Sequence, residues 1–214
     1  MKSNSVHLPI FPLKMVLFPG MPLPLRIFEP RYKKMIGECL AGSGNFGVVL
    51  IKEGEEVGPP AMPFEIGTEA KIIKAERMDD GQLFIIVSGQ RRFKIVKLLE
   101  PEPYLSAEVV FLPELEGDRN AALLTDQILR LVLSDFVQLA SIFTLEPVYP
   151  FRFPSDPARF SFLASHLLGA PMTTKQQLLE SETVEDRLKL ARKLFVEERT
   201  RFIQEEIPKA FPEN

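Results

Sequence analysis

Residues 105–131, LSAEVVFLPELEGDRNAALLTDQILRL, decide the fold class, because the spacing of their apolar side chains changes along the stretch. Up to about Pro113, apolar residues alternate with polar ones, which is the pattern of a β-strand with one buried face. Beyond Asp118 the apolar period is about 3.6 residues, which predicts a helix. The expected buried stripe of this helix consists of Leu124, Ile128, Leu131, Leu139 and Phe143.

The change of period divides the chain into a predicted β-rich domain over 1–115 and a predicted helical domain over 116–214. In the first part, the apolar run Phe46–Ile51 predicts a strand buried on both faces, and Phe18–Met21 predicts a type II turn. Asp80-Gly81 lies between two strand-like segments and favours a type I′ hairpin turn. Pro9 cannot donate to a ladder, so we expect its strand at a sheet edge.

Helix signals occur once in the first part and repeatedly in the second. The segment Pro30–Leu40 has helical apolar spacing with proline in the first turn, which predicts one short helix inside the β-rich domain. Asp156 followed by Pro157 predicts an N-cap and a first-turn proline. Thr174 with Gln177, and Thr183 with Asp186, fit the reciprocal capping pattern and predict two further helix starts.

Composition excludes several functional classes. The 214 residues contain 26 Lys+Arg and 29 Asp+Glu, a net charge of −3, which argues against a protein held on nucleic acid by a net positive field. Cys39 is the single cysteine, so an intrachain disulfide is impossible and a reducing compartment, the cytoplasm, is expected. No apolar stretch approaches the ~18 residues of a membrane span, so we expect no membrane association.

Motifs that carry catalytic or cofactor chemistry are missing from the sequence. Gly42–Gly47 has the glycine spacing of a dinucleotide fingerprint, but a helix precedes it and a strand follows, the reverse of the order that the fingerprint requires. No glycine is followed by lysine, which excludes a Walker-type phosphate loop. The two histidines are far apart, so neither a metal centre nor an acid–base pair is indicated. We therefore expect no cofactor, no metal and no catalytic residue.

The densest basic stretch allows two interpretations. Its members are Arg91, Arg92, Lys94 and Lys97. They could contact phosphate, as in an RNA-binding protein, or they could be exposed charges that discourage edge-to-edge sheet aggregation. The acidic balance of the whole chain favours the second interpretation.

A set of linked motifs resembles one known family. In the first half these are Leu8-Pro-Ile-Phe-Pro-Leu13, Val16-Leu-Phe-Pro-Gly20, Ile27-Phe-Glu-Pro-Arg-Tyr32, Gly89-Gln-Arg-Arg-Phe-Lys-Ile95 and Pro103-Tyr-Leu-Ser-Ala107. In the second half they include Pro154-Ser-Asp-Pro157 and Lys175-Gln-Gln-Leu-Leu-Glu180. From about residue 7 to 200 the chain resembles the Lon protease N-terminal (substrate-binding) domain. The resemblance implies an α+β fold, with a PUA-like β-barrel that carries one short helix, followed by a C-terminal α-helical bundle.

The resemblance also has a limit. In full-length Lon proteases this region precedes a long helix, an AAA+ ATPase and a peptidase domain, and none of these fits after Asn214. We therefore expect a stand-alone substrate-binding-domain protein without ATPase or peptidase activity of its own.

The function that the resemblance implies is polypeptide binding, as a substrate-recognition or adaptor module. Its expected partners are unfolded or extended polypeptide segments, or a protease or other protein partner, while the oligomeric state stays open. Such a site needs exposed apolar side chains or a free strand edge. The candidate contacts are Leu17, Phe18, Met21, Leu23, Pro59, Pro60, Met62 and Phe64. The alternative is an RNA-binding PUA-like protein that uses the basic stretch.

Overall fold

The computed structural model describes residues 5–58, 61–99, 103–144 and 152–205, and within 139–144 it describes only the helical backbone. These residues fall into two compact units. The first unit is Met1–Pro113 together with Met172–Glu180, and the second is Glu114–Pro171 together with Ser181–Asn214. The first boundary lies close to the predicted one, but residues 172–180 belong to the first unit although they fall in the predicted helical domain.

Within the described residues, seven strands and five helices form an α+β fold. The first unit contains β1 (Val6–Leu13), β2 (Pro22–Ile27), α1 (Pro30–Ala41), β3 (Asn45–Glu53), β4 (Met62–Pro63), β5 (Ile66–Arg77), β6 (Leu83–Leu99), β7 (Ser106–Phe111) and α4 (Met172–Glu180). The second unit contains α2 (Arg119–Thr144), α3 (Pro157–Leu167) and α5 (Val184–Glu205).

The seven strands form one mixed sheet that closes on itself. Antiparallel pairs join β1 to β7, β7 to β6, β6 to β5 and β5 to β3, and a parallel pair joins β3 back to β1. Strand β2 pairs with β6 and β4 pairs with β3, so both lie outside this ring. The predicted β-barrel is therefore confirmed only in part, because the strands form a closed mixed sheet with two attached strands and not a clean barrel.

Strand β1 is not an edge strand, so the prediction made from Pro9 is wrong. Val6–Pro9 pairs with β7, whereas Ile10–Leu13 pairs with β3 on the other side. The missing N–H of Pro9 falls where the strand changes partner, and the next N–H, that of Ile10, donates to Leu105 O at 2.8 Å. A proline is tolerated because it stands at this switch point and not in the middle of a continuous ladder.

The hairpin between β5 and β6 is confirmed, but its turn differs from the predicted type. Gly81 N donates to Met78 O at 2.9 Å, and Met78 N donates to Gln82 O at 2.8 Å. The central turn residues are therefore Asp79 and Asp80, and Gly81, with φ of 74°, provides the left-handed residue that follows. This is a three-residue loop, and it uses glycine one position later than a two-residue type I′ turn would.

One core cluster of the first unit is formed where one side of α1 packs on the sheet. The buried residues Tyr32, Met35 and Ile36 of this helix pack in one cluster with Phe46 of β3 and Val87 of β6. A second cluster inside the ring contains Ile10, Val49, Phe93 and Val109. The predicted helix over Pro30–Leu40 and the buried strand at Phe46 are both confirmed.

The predicted buried stripe of α2 is wrong. Leu124 is 60% exposed and Leu131 is 71% exposed, while Ala122, Leu129 and Leu133 are buried. The buried side also carries polar residues: Thr125 Oγ1 donates to Ala121 O, and Asp126 accepts from Arg130. Because these polar side chains form hydrogen bonds within α2, they can be buried, and a pattern based on apolar residues does not identify the buried face. The side chains of Leu139 and Phe143 lie outside the described residues.

Two of the three predicted helix starts in the second half are confirmed. Asp156 caps α3 by accepting from Arg159 N at 2.9 Å. Thr183 Oγ1 accepts from Asp186 N at 3.0 Å, which caps α5, and it donates to Asp186 Oδ2 at 2.6 Å, so the two side chains are bonded through the hydroxyl and not through Thr183 N. Helix α4, however, begins at Met172 and not near Thr174. Because α4 belongs to the first unit, a single helical bundle over 116–214 is not confirmed.

Candidate functional site

A three-stranded part of the sheet, which we call the distal sheet, projects beyond the closed ring. It consists of β2 and the facing ends of its neighbours, residues 83–88 of β6 and 72–77 of β5. Side chains alternate between its two faces. On the inner face, Leu23, Ile27, Ile85 and Val87 are buried in the cluster around α1.

The opposite side of the distal sheet is also apolar. The register places Pro24 beside Ile86, and Ser88 beside Pro22, while Phe84 lies two residues before Ile86 on the same face. Pro22 and Pro24 are exposed, and Phe84 and Ile86 are half-buried. We call these four residues the outer apolar face.

Two further apolar side chains and several charges border the outer apolar face. Phe28, one residue beyond β2, is 50% exposed, and Ile73, at a register shift of β5, is 62% exposed. Arg26 Nη2 lies 2.9 Å from Asp80 Oδ2, and Lys74 lies 2.8 Å from Glu76. An exposed apolar patch with a polar rim is typical of an interaction surface.

The outer apolar face was not predicted, although one feature of the sequence indicates it. The run Phe84-Ile-Ile-Val87 is apolar at every position, which is typical of a strand covered on both faces. Here one face packs on the core while the other remains accessible. Such a run next to a hairpin turn is the feature that could have located the surface.

Three of the predicted peptide contacts are buried, and their prediction as exposed contacts is wrong. Leu17 is 4% exposed, Phe18 is 0% and Leu23 is 9%. The predicted type II turn is confirmed, since Met21 N donates to Phe18 O at 3.1 Å and Gly20 has φ of 81°. The turn directs these side chains inward, so the family motif at this position packs the core.

The remaining predicted peptide contacts are dispersed. Met21 is half-buried against the core around α1. Met62 is 52% exposed and Phe64 is half-buried, and both line a groove of about 340 Å³ beside β4 that also contains Lys52 and Glu180. Pro59 and Pro60 lie outside the described residues. The structure therefore brings Met62 and Phe64 together but does not join them to Met21.

The basic stretch does not form a cluster of free cations. Arg92 is 2% exposed and donates to Leu179 O at 2.8 Å and to Pro113 O at 3.4 Å, so its prediction as a phosphate contact is wrong. Arg91 lies 2.8 Å from Glu69. Lys94 lies 3.4 Å from Glu65, and exposed Lys97 is in register with Glu108. Each exposed cation therefore has a carboxylate nearby or opposite.

The guanidinium of Arg91 also lies over the ring of Phe111, at 3.3 Å from the centroid. This stacking holds the side chain against the sheet. Contacts within the chain therefore account for the positions of the exposed basic residues without a bound phosphate.

Two titratable side chains near α1 have raised pKa values. Cys39 is buried in the cluster around α1, and burial, assisted by Glu38, raises the pKa of its thiol to about 11. Burial and the hydrogen bond to Glu38 raise the pKa of Tyr104 to about 12. The raised pKa keeps the Cys39 thiol protonated at neutral pH.

The described residues contain neither a cluster of metal ligands nor a membrane-spanning helix. No group of three or more His, Cys, Asp or Glu side chains in ranges 5–58, 61–99, 103–144 and 152–205 is placed to hold a metal ion. None of the helices described has both the length and the apolar character needed to cross a bilayer.

Comparison with known proteins identifies the family. The model of the ATP-dependent protease La (LON) substrate-binding domain matches residues 7–197, so the chain belongs to this family. The Lon protease of Cytophaga hutchinsonii is 29% identical over 190 residues, which are 84% of this chain and 23% of that protein. The Lon protease of Flavobacterium johnsoniae is 36% identical over 117 residues, 54% of this chain and 14% of that protein. The chain thus spans less than a quarter of the length of these two relatives.

Solved structures show the same fold. The Lon N-terminal domain protein from Xanthomonas campestris has a TM-score of 0.63 and 26% identity, with 86% of this chain and 95% of that chain covered. The N-terminal domain of the Mycobacterium avium complex Lon protease has a TM-score of 0.66 and 22% identity, with 89% of this chain and 98% of that one covered.

Proposed function

We propose that this chain is a non-catalytic recognition module that binds unfolded polypeptide segments on the outer apolar face of the distal sheet. The observation that carries the proposal is the apolar surface formed by Pro22, Pro24, Phe84 and Ile86 on the side of the sheet turned away from the core. Membership of a family of substrate-binding domains supports a polypeptide ligand.

The physical basis of the proposed recognition is burial of apolar surface. Folded proteins hide their apolar side chains, whereas unfolded chains present them, so an apolar patch selects for the unfolded state. The client loses chain entropy when it is captured, which keeps the affinity near the micromolar range, about 8 kcal/mol. We expect this module to act in the cytoplasm and to pass its client to a protease or another protein partner.

The test measures the anisotropy of fluorescein-labelled, reduced and carboxymethylated α-lactalbumin, a permanently unfolded chain, during titration with the protein. The double substitution Phe28→Ser and Ile73→Ser removes two exposed apolar side chains from the border of the outer apolar face without opening the core. We expect binding to weaken by about fivefold or more, because roughly 1 kcal/mol of apolar contact is lost.

Leu131→Ser is the matched control for this test. Leu131 is 71% exposed and lies on α2, in the other unit. We expect this variant to bind the unfolded chain as the wild type does. Absence of binding by the wild type, or an equal loss in Leu131→Ser, contradicts the proposal.

A further inference from the structure

The two open sides of the distal sheet differ in their capacity to pair with another strand. Within the distal sheet, β6 is central, because it pairs with β2 on one side and with β5 on the other. The outer side of β2 and the outer side of the 73–77 part of β5 are therefore the two edges. An edge strand with free N–H and C=O groups is a template for an added strand.

The β2 edge is closed to pairing by its prolines. Gly89 N donates to Met21 O at 2.9 Å, so the backbone groups of Met21 point toward β6. Antiparallel pairing alternates along the chain, which directs the backbone groups of Pro22, Pro24 and Arg26 away from β6. Two of these three outward positions lack an N–H, so an added strand would find Arg26 as its sole donor along β2.

The β5 edge is open. Met78 N donates to Gln82 O at 2.8 Å, and the same register pairs Glu76 with Phe84 and Lys74 with Ile86. The alternation therefore directs the N–H and C=O groups of Ala75 and Arg77 away from β6. Strand β3 pairs with β5 only over Thr68–Lys71, and both Ala75 and Arg77 are exposed. Two donors and two acceptors are thus available on the strand that pairs with Phe84 and Ile86 of the outer apolar face.

We propose that an unfolded client segment binds by adding an antiparallel or parallel strand to the edge of β5 at Ala75 and Arg77. This inference rests on the proposed function and specifies how the client is held. The client's backbone pairs with β5, and on the outer face its side chains lie beside Lys74 and Glu76, which separate the added strand from Phe84 and Ile86. Recognition by the main chain depends little on the client's side chains, since an extended segment offers the same donors and acceptors wherever it lacks proline.

The charge of the edge favours a client over a second copy of this chain. Lys71, Lys74 and Arg77 follow one another along this part of β5, and Glu76 is the one acidic residue among 71–77. Edge-to-edge pairing of two copies would bring together two segments of net positive charge, and their repulsion opposes it. The preferred client is therefore an extended apolar segment that carries acidic residues.

Hydrogen exchange of the wild-type protein tests the pairing directly. The probe is reduced and carboxymethylated α-lactalbumin, and the readout is the exchange of the backbone amides of Ala75 and Arg77 with and without this probe. We expect the exchange of both amides to slow by about tenfold or more at saturation, because a paired amide exchanges only when the added strand opens. The amide of Arg26 on the β2 edge is the internal control, and its exchange stays unchanged.

A substitution provides the second readout. Ala75→Pro removes an N–H that points away from β6, so the native ladder is kept while the added strand loses its donor and meets the proline ring. We expect the affinity for the probe to fall by about tenfold. Ala75→Val is the matched control, because it keeps the N–H and suits a strand, and its binding stays within about twofold of the wild type.

The outcomes separate the two proposals. If the wild type does not bind the probe, the proposed function itself fails. If the probe binds but the amides of Ala75 and Arg77 are not protected, or folded Ala75→Pro binds normally, side chains alone hold the client and strand addition is wrong. Protection that rises with protein concentration without the probe means that a second copy occupies the edge, and it also overturns the inference.

Discussion

At the scale of single residues, Gly89 shows how a missing side chain lets the core form. A Cβ on Gly89 would lie 2.3 Å from Phe18 O, a backbone atom that cannot move independently. The turn at Phe18–Met21 is held against β6 by Gly20 N donating to Gly89 O at 2.9 Å. The close approach of the turn to β6 therefore depends on glycine at this position.

The first prediction compares two glycine-to-alanine substitutions that we expect to change the free energy of unfolding in opposite directions. Gly89→Ala forces the Phe18 turn away from β6, and we expect a loss of about 2–3 kcal/mol in the free energy of unfolding. Gly37→Ala lies within α1, where a Cβ would have no neighbour within 4 Å, so we expect a gain of about 0.5–1 kcal/mol. Urea denaturation followed by circular dichroism measures both changes. Equal effects of the two substitutions would contradict this account.

The burial of single residues at the candidate site could not be predicted from the local sequence. The sequence places Leu17, Phe18 and Leu23 in an apolar turn, and nothing local distinguishes a turn that packs inward from one that faces solvent. Burial is decided by the backbone approach at Gly89, which is distant in sequence. The outer apolar face has the same origin, because Pro24 and Ile86 become neighbours only when β2 pairs with β6.

At the scale of the elements, the starts of α3 and α5 could be predicted from the sequence, whereas the buried face of α2 could not. Asp156 and Thr183 act within a few residues of their partners, so local sequence predicts their caps. The buried face of α2 depends on which neighbours cover it, and its sequence is apolar on more than one side. The hairpin of β5 and β6 was predictable for the same reason as the caps, whereas the partners of β1 were not.

The second prediction compares the cap at Thr183 with the cap that was predicted at Thr174 and is not formed. Thr183→Ala removes the acceptor of Asp186 N, and we expect a loss of about 1 kcal/mol in the free energy of unfolding. Thr174 lies inside α4, which begins at Met172, so Thr174→Ala loses no N-cap and changes stability by less than about 0.5 kcal/mol. Both values come from urea denaturation, and a loss of 1 kcal/mol or more for Thr174→Ala would argue that it caps a helix after all.

At the scale of the whole molecule, α4 belongs to a unit from which it is remote in sequence. Gln176 Nε2 donates to Ile66 O at 2.9 Å, and Arg92 donates to Leu179 O at the end of the helix. Both Gln176 and Arg92 are buried. The boundary predicted near residue 115 follows the change of period and leaves α4 out of the first unit, because periodicity along the chain carries no information on where a helix packs.

The third prediction follows from this arrangement. A fragment of residues 1–115 lacks α4 and leaves the guanidinium of Arg92 without Leu179 O. We expect its urea midpoint to be well below that of the full chain, or no cooperative transition at all. Arg92→Ala in the full chain removes the same hydrogen bond and is expected to cost about 2–3 kcal/mol. A fragment with the midpoint of the full chain would contradict this view of α4.

The closed ring of strands also has a consequence for protein synthesis. Strand β1 is translated before the other described strands, yet Val6 pairs with Val109 and Ile10 with Gly47. At ~5–20 residues per second, the ribosome needs about 5–20 s after β1 to deliver β7. During that interval the apolar segment around Phe11 has no complete partner, and α4 arrives later still. The nascent chain of this protein is therefore itself an unfolded polypeptide of the kind that it is proposed to bind.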